Sequence, residues 1–322
     1  MQALRALLKL FEHSFQIKSA ISQGFHCLFS YYINSTFMSW HASLSVDYRA
    51  RAGKTVALFE HSGPLRILQS LYPEGEGICH NVIVHPPGGL VGGDTLDLRF
   101  SVAAGAHGLV TTPGATRFYR ADGAPALQRT QLQLAAGARL EWLPLEAIAY
   151  PGCLAENRLT MALAPGAELI GWDVTAFGLP AANLPFDAPA TSSPPPTGQF
   201  SQHIELPGVW LERARIRATD ALLLNSTLGL AGHRCIASLF LVTGTPLGRA
   251  RRQLALDTAR DVLTAHSLCA TAGATSPNGQ VVVVRVLAPM VEPALSLLKQ
   301  VRSAWRAALW QLPGINPRIW AL

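Results

Sequence analysis

The sequence predicts a mainly β protein: a stack of β-strand units in one large domain, with about two α-helices in its C-terminal third. Three observations carry this. From Trp40 onward period-two patterning dominates, as in Thr130 to Leu134, Arg139 to Trp142, Trp210 to Ile216 and the run Val281 to Val286. A turn recurs as Val102-Ala103-Ala104-Gly105-Ala106, Leu134-Ala135-Ala136-Gly137-Ala138 and Leu163-Ala164-Pro165-Gly166-Ala167, its glycines 32 and then 29 residues apart. Strand-like segments flank each copy, and units of that size bury their faces against their neighbours. Only late in the chain does helical spacing take over, from Arg251 to Ala265 and from Val291 to Leu312.

Residues 1–37 stand apart. Arg5, Lys9 and Lys18 outweigh Glu12, and Leu4, Leu7, Leu8, Phe11 and Phe15 fall at roughly helical spacing. No compact apolar core with a small-residue cleavage site follows, so the segment does not read as a signal peptide. An amphipathic membrane-surface helix is one reading. The preferred one is a peripheral extension, with the domain running from 38 to 322.

Two Gly/Pro loops come next. The first, His85-Pro86-Pro87-Gly88-Gly89-Leu90-Val91-Gly92-Gly93-Asp94, has paired glycines that permit positive φ and close backbone approach, while its prolines fix the local path. The second is Thr112-Pro113-Gly114-Ala115-Thr116-Arg117-Phe118-Tyr119-Arg120. In each repeat a loop follows the second strand: Thr112 to Arg120, Pro144 to Gly152, Asp173 to Pro180. Stacking would gather these loops on one side, with Arg117, Tyr119, Arg120, Glu146, Tyr150 and Asp173. Leu184 to Gly198, with Pro194-Pro195-Pro196, reads as a flexible surface loop that does not divide two domains. In the last helix Leu295, Leu298, Val301, Trp305 and Leu309 form one core-packing face, with Lys299, Arg302 and Arg306 elsewhere.

Hydrophobic residues make up 49% of the 322 and charged residues 14%, which points to apolar surface kept for a partner. The net charge of +6 is scattered rather than striped, against nucleic-acid binding. Five distant cysteines with no CxxC pair argue against a zinc site or a disulfide framework and suit the cytoplasm. No apolar run reaches the ~18 residues that cross a bilayer. No GxxxxGK[ST], HExxH, GxSxG or dinucleotide fingerprint is present. Cys79, His80 and His85 are the nearest thing to a ligand cluster and read as ordinary strand and loop positions. Asp94, Asp173 and Glu212 lie in apolar surroundings, where a carboxylate must be paired, protonated, wetted or metal-bound. Pairing with an arginine such as Arg117, Arg120 or Arg213 is the ordinary expectation.

The two loops, with Gly63-Pro64-Leu65, Tyr72-Pro73-Glu74, Leu140-Glu141-Trp142-Leu143-Pro144, Tyr150-Pro151-Gly152, Trp172-Asp173 and Pro317-Arg318-Ile319-Trp320, resemble the urease accessory protein D family (UreD, also UreH) in this order from Trp40 to Leu322. The resemblance implies a helicoid-like, non-catalytic scaffold with no tightly bound cofactor. It implies partners as well: the F-type accessory protein, through it the G-type GTP-binding protein, and apo-urease. Nickel(II) would pass transiently through a water-filled tunnel. Family positions on that route match Asp94, Asp173 and Glu212, with Thr116 near the second loop. The chain departs from the family at Gly178-Leu179, where many members have Gly-Arg, and residues 1–37 have no counterpart. A generic β-repeat binding module and a metal-dependent hydrolase are the alternatives; the second needs a convergent His/Asp set that the sequence does not present.

Overall fold

The computed structural model describes residues 39–187 and 198–321. The expectations for residues 1–37 and for most of the Pro-rich loop lie outside the described residues. Within the rest, the repeated turn sets the geometry. Gly105, Gly137 and Gly166 take φ of 73°, 66° and 76°, and each turn closes with the same alanine-to-alanine hydrogen bond, 3.0–3.1 Å long. Successive turns are laddered, Ala135 N donating to Val102 O (2.8 Å) and Ala164 N to Leu134 O (2.9 Å). Each turn carries the chain from one sheet to the other, so the repeat is one coil of a β-solenoid.

The first strands are β1 (His41–Arg51), β2 (Lys54–Ser62), β3 (Ser70–Leu71), β4 (Ile78–Val82) and β5 (Gly89–Leu90). Regular coils follow: β6 (Thr95–Val102), β7 (His107–Thr111) and β8 (Thr116–Phe118); β9 (Ala126–Leu134), β10 (Arg139–Leu143) and β11 (Ala147–Ala149); β12 (Leu154–Leu163) and β13 (Glu168–Leu179). The chain continues through β14 (Leu184–Pro185), β15 (Gln199–Leu206), β16 (Trp210–Arg217), the one-turn helix α1 (Ala221–Asn225) and β17 (Cys235–Thr243). It ends in α2 (Arg249–Thr264), β18 (Ala272–Asn278), β19 (Val281–Ala288) and α3 (Val291–Trp310).

The seven-stranded sheet runs β16-β15-β12-β9-β6-β1-β2, parallel inside and closed by an antiparallel strand at each end. The larger sheet runs β18-β19-β17-β13-β10-β7-β4-β3. One core lies between the sheets, with Leu44, Phe100, Leu132, Leu140, Phe200 and Phe240. A second lies between the larger sheet and the helices, with Leu109, Trp172, Leu239, Leu298, Val301 and Trp305. The expected apolar face of α3 packs in that second core. No helix among the described residues is long and apolar enough to cross a membrane.

Four expectations need correction. Val281 to Val284 are all fully buried: Val281 and Val283 face one core, Val282 and Val284 the other, so the segment does not alternate between core and solvent. The loops after each second strand contain β8, β11 and the end of β13, which pair in a short parallel ladder continuing to β5. Leu184–Pro185 pairs with Gly178–Leu179, Phe186 is buried and Asp187 binds Arg234 at 2.9 Å, so the head of the Pro-rich loop is fixed. Arg302 and Arg306 of α3 are fully buried rather than turned to solvent. Arg302 Nε donates to Glu141 Oε2 (2.7 Å) and Arg306 Nη1 to Glu141 Oε1 (3.0 Å); Arg306 also binds Glu74, which accepts from His80 at 3.0 Å.

Candidate functional site: a polar file between the sheets

Cross-strand register places Gln128, Asn157 and Gln202 side by side on β9, β12 and β15. On the facing sheet Asp173, Ser238 and Arg285 align in the same way on β13, β17 and β19. Their strand neighbours Phe200, Ile204, Leu169 and Phe240 fill the inter-sheet core, so these polar side chains cut across it. Asn157 Nδ2 donates to Asp173 Oδ2 (2.9 Å), Thr175 Oγ1 donates to Oδ1 (3.2 Å), and Gln202 Nε2 also donates to Oδ1. Gln128 Nε2 donates to Asn157 Oδ1 at 3.2 Å. Although they point between the sheets, Gln128, Asn157, Asp173 and Gln202 each keep part of their surface open to water.

One end of the file opens into a cavity of about 250 Å³ whose wall includes His85, Thr112, Thr116, Arg117, Gln128 and Trp142. Both Gly/Pro loops build this wall. Gly88 and Gly93 are the first-loop glycines with positive φ, 73° and 87°. Gly89 pairs with Arg117 in the β5–β8 ladder, and Gly92 lies so close to Ala124 that a Cβ would stand 2.8 Å from its carbonyl oxygen. Pro113, Gly114, Thr116 and Arg117 line the cavity directly. Tyr119 and Tyr150 of successive coils pack edge to face at 4.8 Å, so the loops do gather on one side, while Arg120 binds Asp122 at 3.3 Å. At the other end Glu212 pairs with Arg285, which also donates to Thr275 Oγ1 at 3.1 Å.

The three carboxylates singled out in the sequence occupy different settings, and none pairs with Arg117, Arg120 or Arg213. Asp94 is almost wholly buried and braces the first loop, accepting from Trp40 N (3.2 Å) and Val91 N (2.9 Å). Asp173 lies in mid-strand, not in a loop. Desolvation pushes its pKa up to about 6, opposed only in part by Thr175 and Gln202. Glu212 sits at the rim with Arg285. Cys79, His80 and His85 diverge: Cys79 approaches the Tyr72 hydroxyl at 3.7 Å, His80 binds Glu74, and His85 faces the cavity. Among the described residues no three His, Cys, Asp or Glu side chains are placed to hold a metal together.

Sequence reasoning missed Gln128, Asn157 and Gln202. Strand parity held a signal for them: Gln128 follows Ala126, Asn157 lies between Ala155 and Leu159, and Gln202 between Phe200 and Ile204, polar residues at apolar inward positions.

Residues 41–321 match the family profile of the UreD urease accessory protein. The chain belongs to the UreD family. Urease accessory proteins UreD from Polaromonas naphthalenivorans and Polaromonas sp. JS666 are 72% and 71% identical over 285 residues, 88% of this chain and 100% of each relative. The UreD of Methylibium petroleiphilum is 46% identical over 303 aligned residues, 88% of this chain and 99% of the relative. The stacked β-coils and the two loops are thus the structural setting of a UreD sequence.

Proposed function

We propose that this UreD-family protein serves urease maturation as a non-catalytic scaffold and passes nickel(II), its cargo, along the polar file. One observation carries the reading: Gln128, Asn157, Asp173 and Gln202 cross an otherwise apolar core, stay partly wet, and lie between a cavity and a rim carboxylate. A transit route needs donors that admit an ion and release it, which favours single carboxylates, amides and water over thiolate or imidazole clusters. Asp94 supports the cavity wall in this scheme, while Asp173 and Glu212 contact the cargo in passing. The urease accessory role of its relatives supports partnership with apo-urease, with an F-type accessory protein and, through that, with a G-type GTP-binding protein, all in the cytoplasm.

The test is paired measurement on one set of variants. Asp173→Ala is expected to lower the nickel content of co-expressed urease severalfold while copurification with the F-type protein and urease is unchanged. Normal nickel loading with normal complexes would remove the transit role. Complexes failing before nickel does would assign Asp173 a structural role instead.

A further inference from the structure

β16 ends the seven-stranded sheet and pairs only with β15, in unbroken antiparallel register over its 8 residues. In such a pair, residues whose backbone groups point at the neighbour alternate with residues whose groups point away. Ala218 N donates to Gly198 O at 2.8 Å, which extends the same register by one residue and sets the phase. Glu212 and Ala214 therefore turn their backbone groups toward β15. Leu211, Arg213 and Arg215 turn theirs outward, and among the described residues nothing bonds to them.

The far edge of the larger sheet is built differently. β18 carries Pro277 and a register shift between Thr275 and Asn278, and Arg260 of α2 donates to Ala274 O at 3.4 Å. Such features keep a strand edge from pairing with another chain. β16 has neither a proline nor a bulge. Its side chains add a second constraint. Leu211, Arg213, Arg215 and Arg217 share the solvent face and are all exposed. Arg213 and Arg215 have no ion pair or hydrogen bond among the described residues, and Arg217 reaches only Gln199 Oε1, at 3.3 Å. Across the ladder they face His203, Ser201 and Gln199. The nearby carboxylates are taken, Glu205 by His203 at 2.9 Å and Glu156 by Arg158 at 2.7 Å. Three guanidinium groups thus line an open backbone edge with no anion of the chain's own to meet them.

We propose that β16 is a docking edge for an extended acidic segment of a partner protein, which adds to the sheet as a further strand. Main-chain bonds to Leu211, Arg213 and Arg215 hold the segment in register, and carboxylates at every second position meet Arg213, Arg215 and Arg217 on the solvent face. Glu212 points to the opposite face, where Arg285 pairs with it, so it does not repel them. The transit reading gives these arginines no part, so its fate is separate from that of the docking edge.

The experiment uses the purified full chain and three short labelled peptides as probes, read by fluorescence anisotropy. The first has glutamate at every second position with valine or threonine between, and the second replaces each glutamate by lysine. The third keeps the glutamates but places proline between them, which prevents strand pairing. The first is expected to bind, and the other two about tenfold more weakly or worse. Arg213→Glu combined with Arg215→Glu should weaken the first peptide about tenfold or more. Leu211→Pro removes an outward N–H while keeping every arginine, and should weaken it severalfold. Hydrogen exchange should show the amides of Leu211, Arg213 and Arg215 protected on binding. No binding of the first peptide, or unchanged affinity in the double arginine variant, overturns the inference. Equal binding of the proline-spaced peptide overturns it too, because charge alone then suffices. Tighter binding of a short single-stranded DNA probe does the same and makes the surface one for nucleic acid. Should Leu211→Pro fail to fold, the proline-spaced peptide on the unmodified chain decides between strand addition and charge.

Discussion

Glu141 is wholly buried and Asp173 lies between the sheets with part of its surface open, and their carboxyl groups are driven in opposite directions. Desolvation pushes both up. At Glu141, between the larger sheet and α3, the charges of Arg302, His107 and Arg306 outweigh it and bring the pKa to about 2. His107 Nε2 stands 3.3 Å from Glu141 Oε1, close enough for charge but not aligned as a hydrogen bond. At Asp173, between the sheets, the partners are Asn157, Gln202 and Thr175, all neutral, and the pKa stays at about 6. The difference teaches that burial alone does not decide what a carboxylate is for. A charge clamped by two guanidinium groups locks a helix to a sheet; a charge held by amides remains free to take a proton or a cation.

Stability should break this comparison first. Glu141→Gln strands the buried Arg302 and leaves Arg306 to Glu74 alone, and is expected to cost about 3–5 kcal/mol, read as lost soluble protein or a lowered denaturation midpoint. Asp173→Asn strands no charge and should leave stability at pH 7 unchanged or raised. Equal losses in both variants would erase the distinction.

The pH dependence should carry opposite signs. Glu141 has a folded pKa of about 2, below its ordinary 4.5, so its stabilisation is full above 4.5 and is lost as pH falls toward 2. Asp173 has a folded pKa of about 6, above its ordinary 3.8, so its contribution is full below 3.8 and is lost as pH rises through 6. Each effect is on the order of 3 kcal/mol at 1.36 kcal/mol per unit. Unfolding free energies across pH 2–8 should show Glu141→Gln flattening the acid side and Asp173→Asn the span from 4 to 6. A slope left intact in either variant contradicts the matching assignment.

The backbone at the cavity end should respond less. Gly93→Val forces a β-branched residue to φ near 87° and is expected to cost about 1–3 kcal/mol and to impair urease activation. Gly114→Ala, at a position without positive φ and with open space where its Cβ would go, should be near neutral. Similar activation by both would reduce the first loop to a tolerant turn. Smallest of all is Glu212→Ala. Its pair with Arg285 is partly exposed, so the loss should be under about 1 kcal/mol, and any larger deficit must appear in nickel loading rather than in stability.

Much of the architecture was legible because it is local. A glycine at positive φ three times over, alternation along β9 and β10, and helical spacing in α2 and α3 are properties of a few neighbouring residues, and they predicted a stacked β protein with late helices. The gathering of the loops that carry Tyr119 and Tyr150 on one side followed from the same repeat. Pairing was not legible, because it belongs to distance. Arg302 meets Glu141 across 161 residues of sequence, and Asn157 meets Asp173 across the gap between two sheets. Nothing near Arg302 or Arg306 distinguishes them from solvated helix residues, and nothing near Asp173 says that amides rather than an arginine would face it. The sequence by itself determined the coil, the turn and the loop. Only the packing of sheet on sheet and helix on sheet decided which buried charge is neutralised and which is left open, since that depends on what the third dimension brings within 3 Å of it.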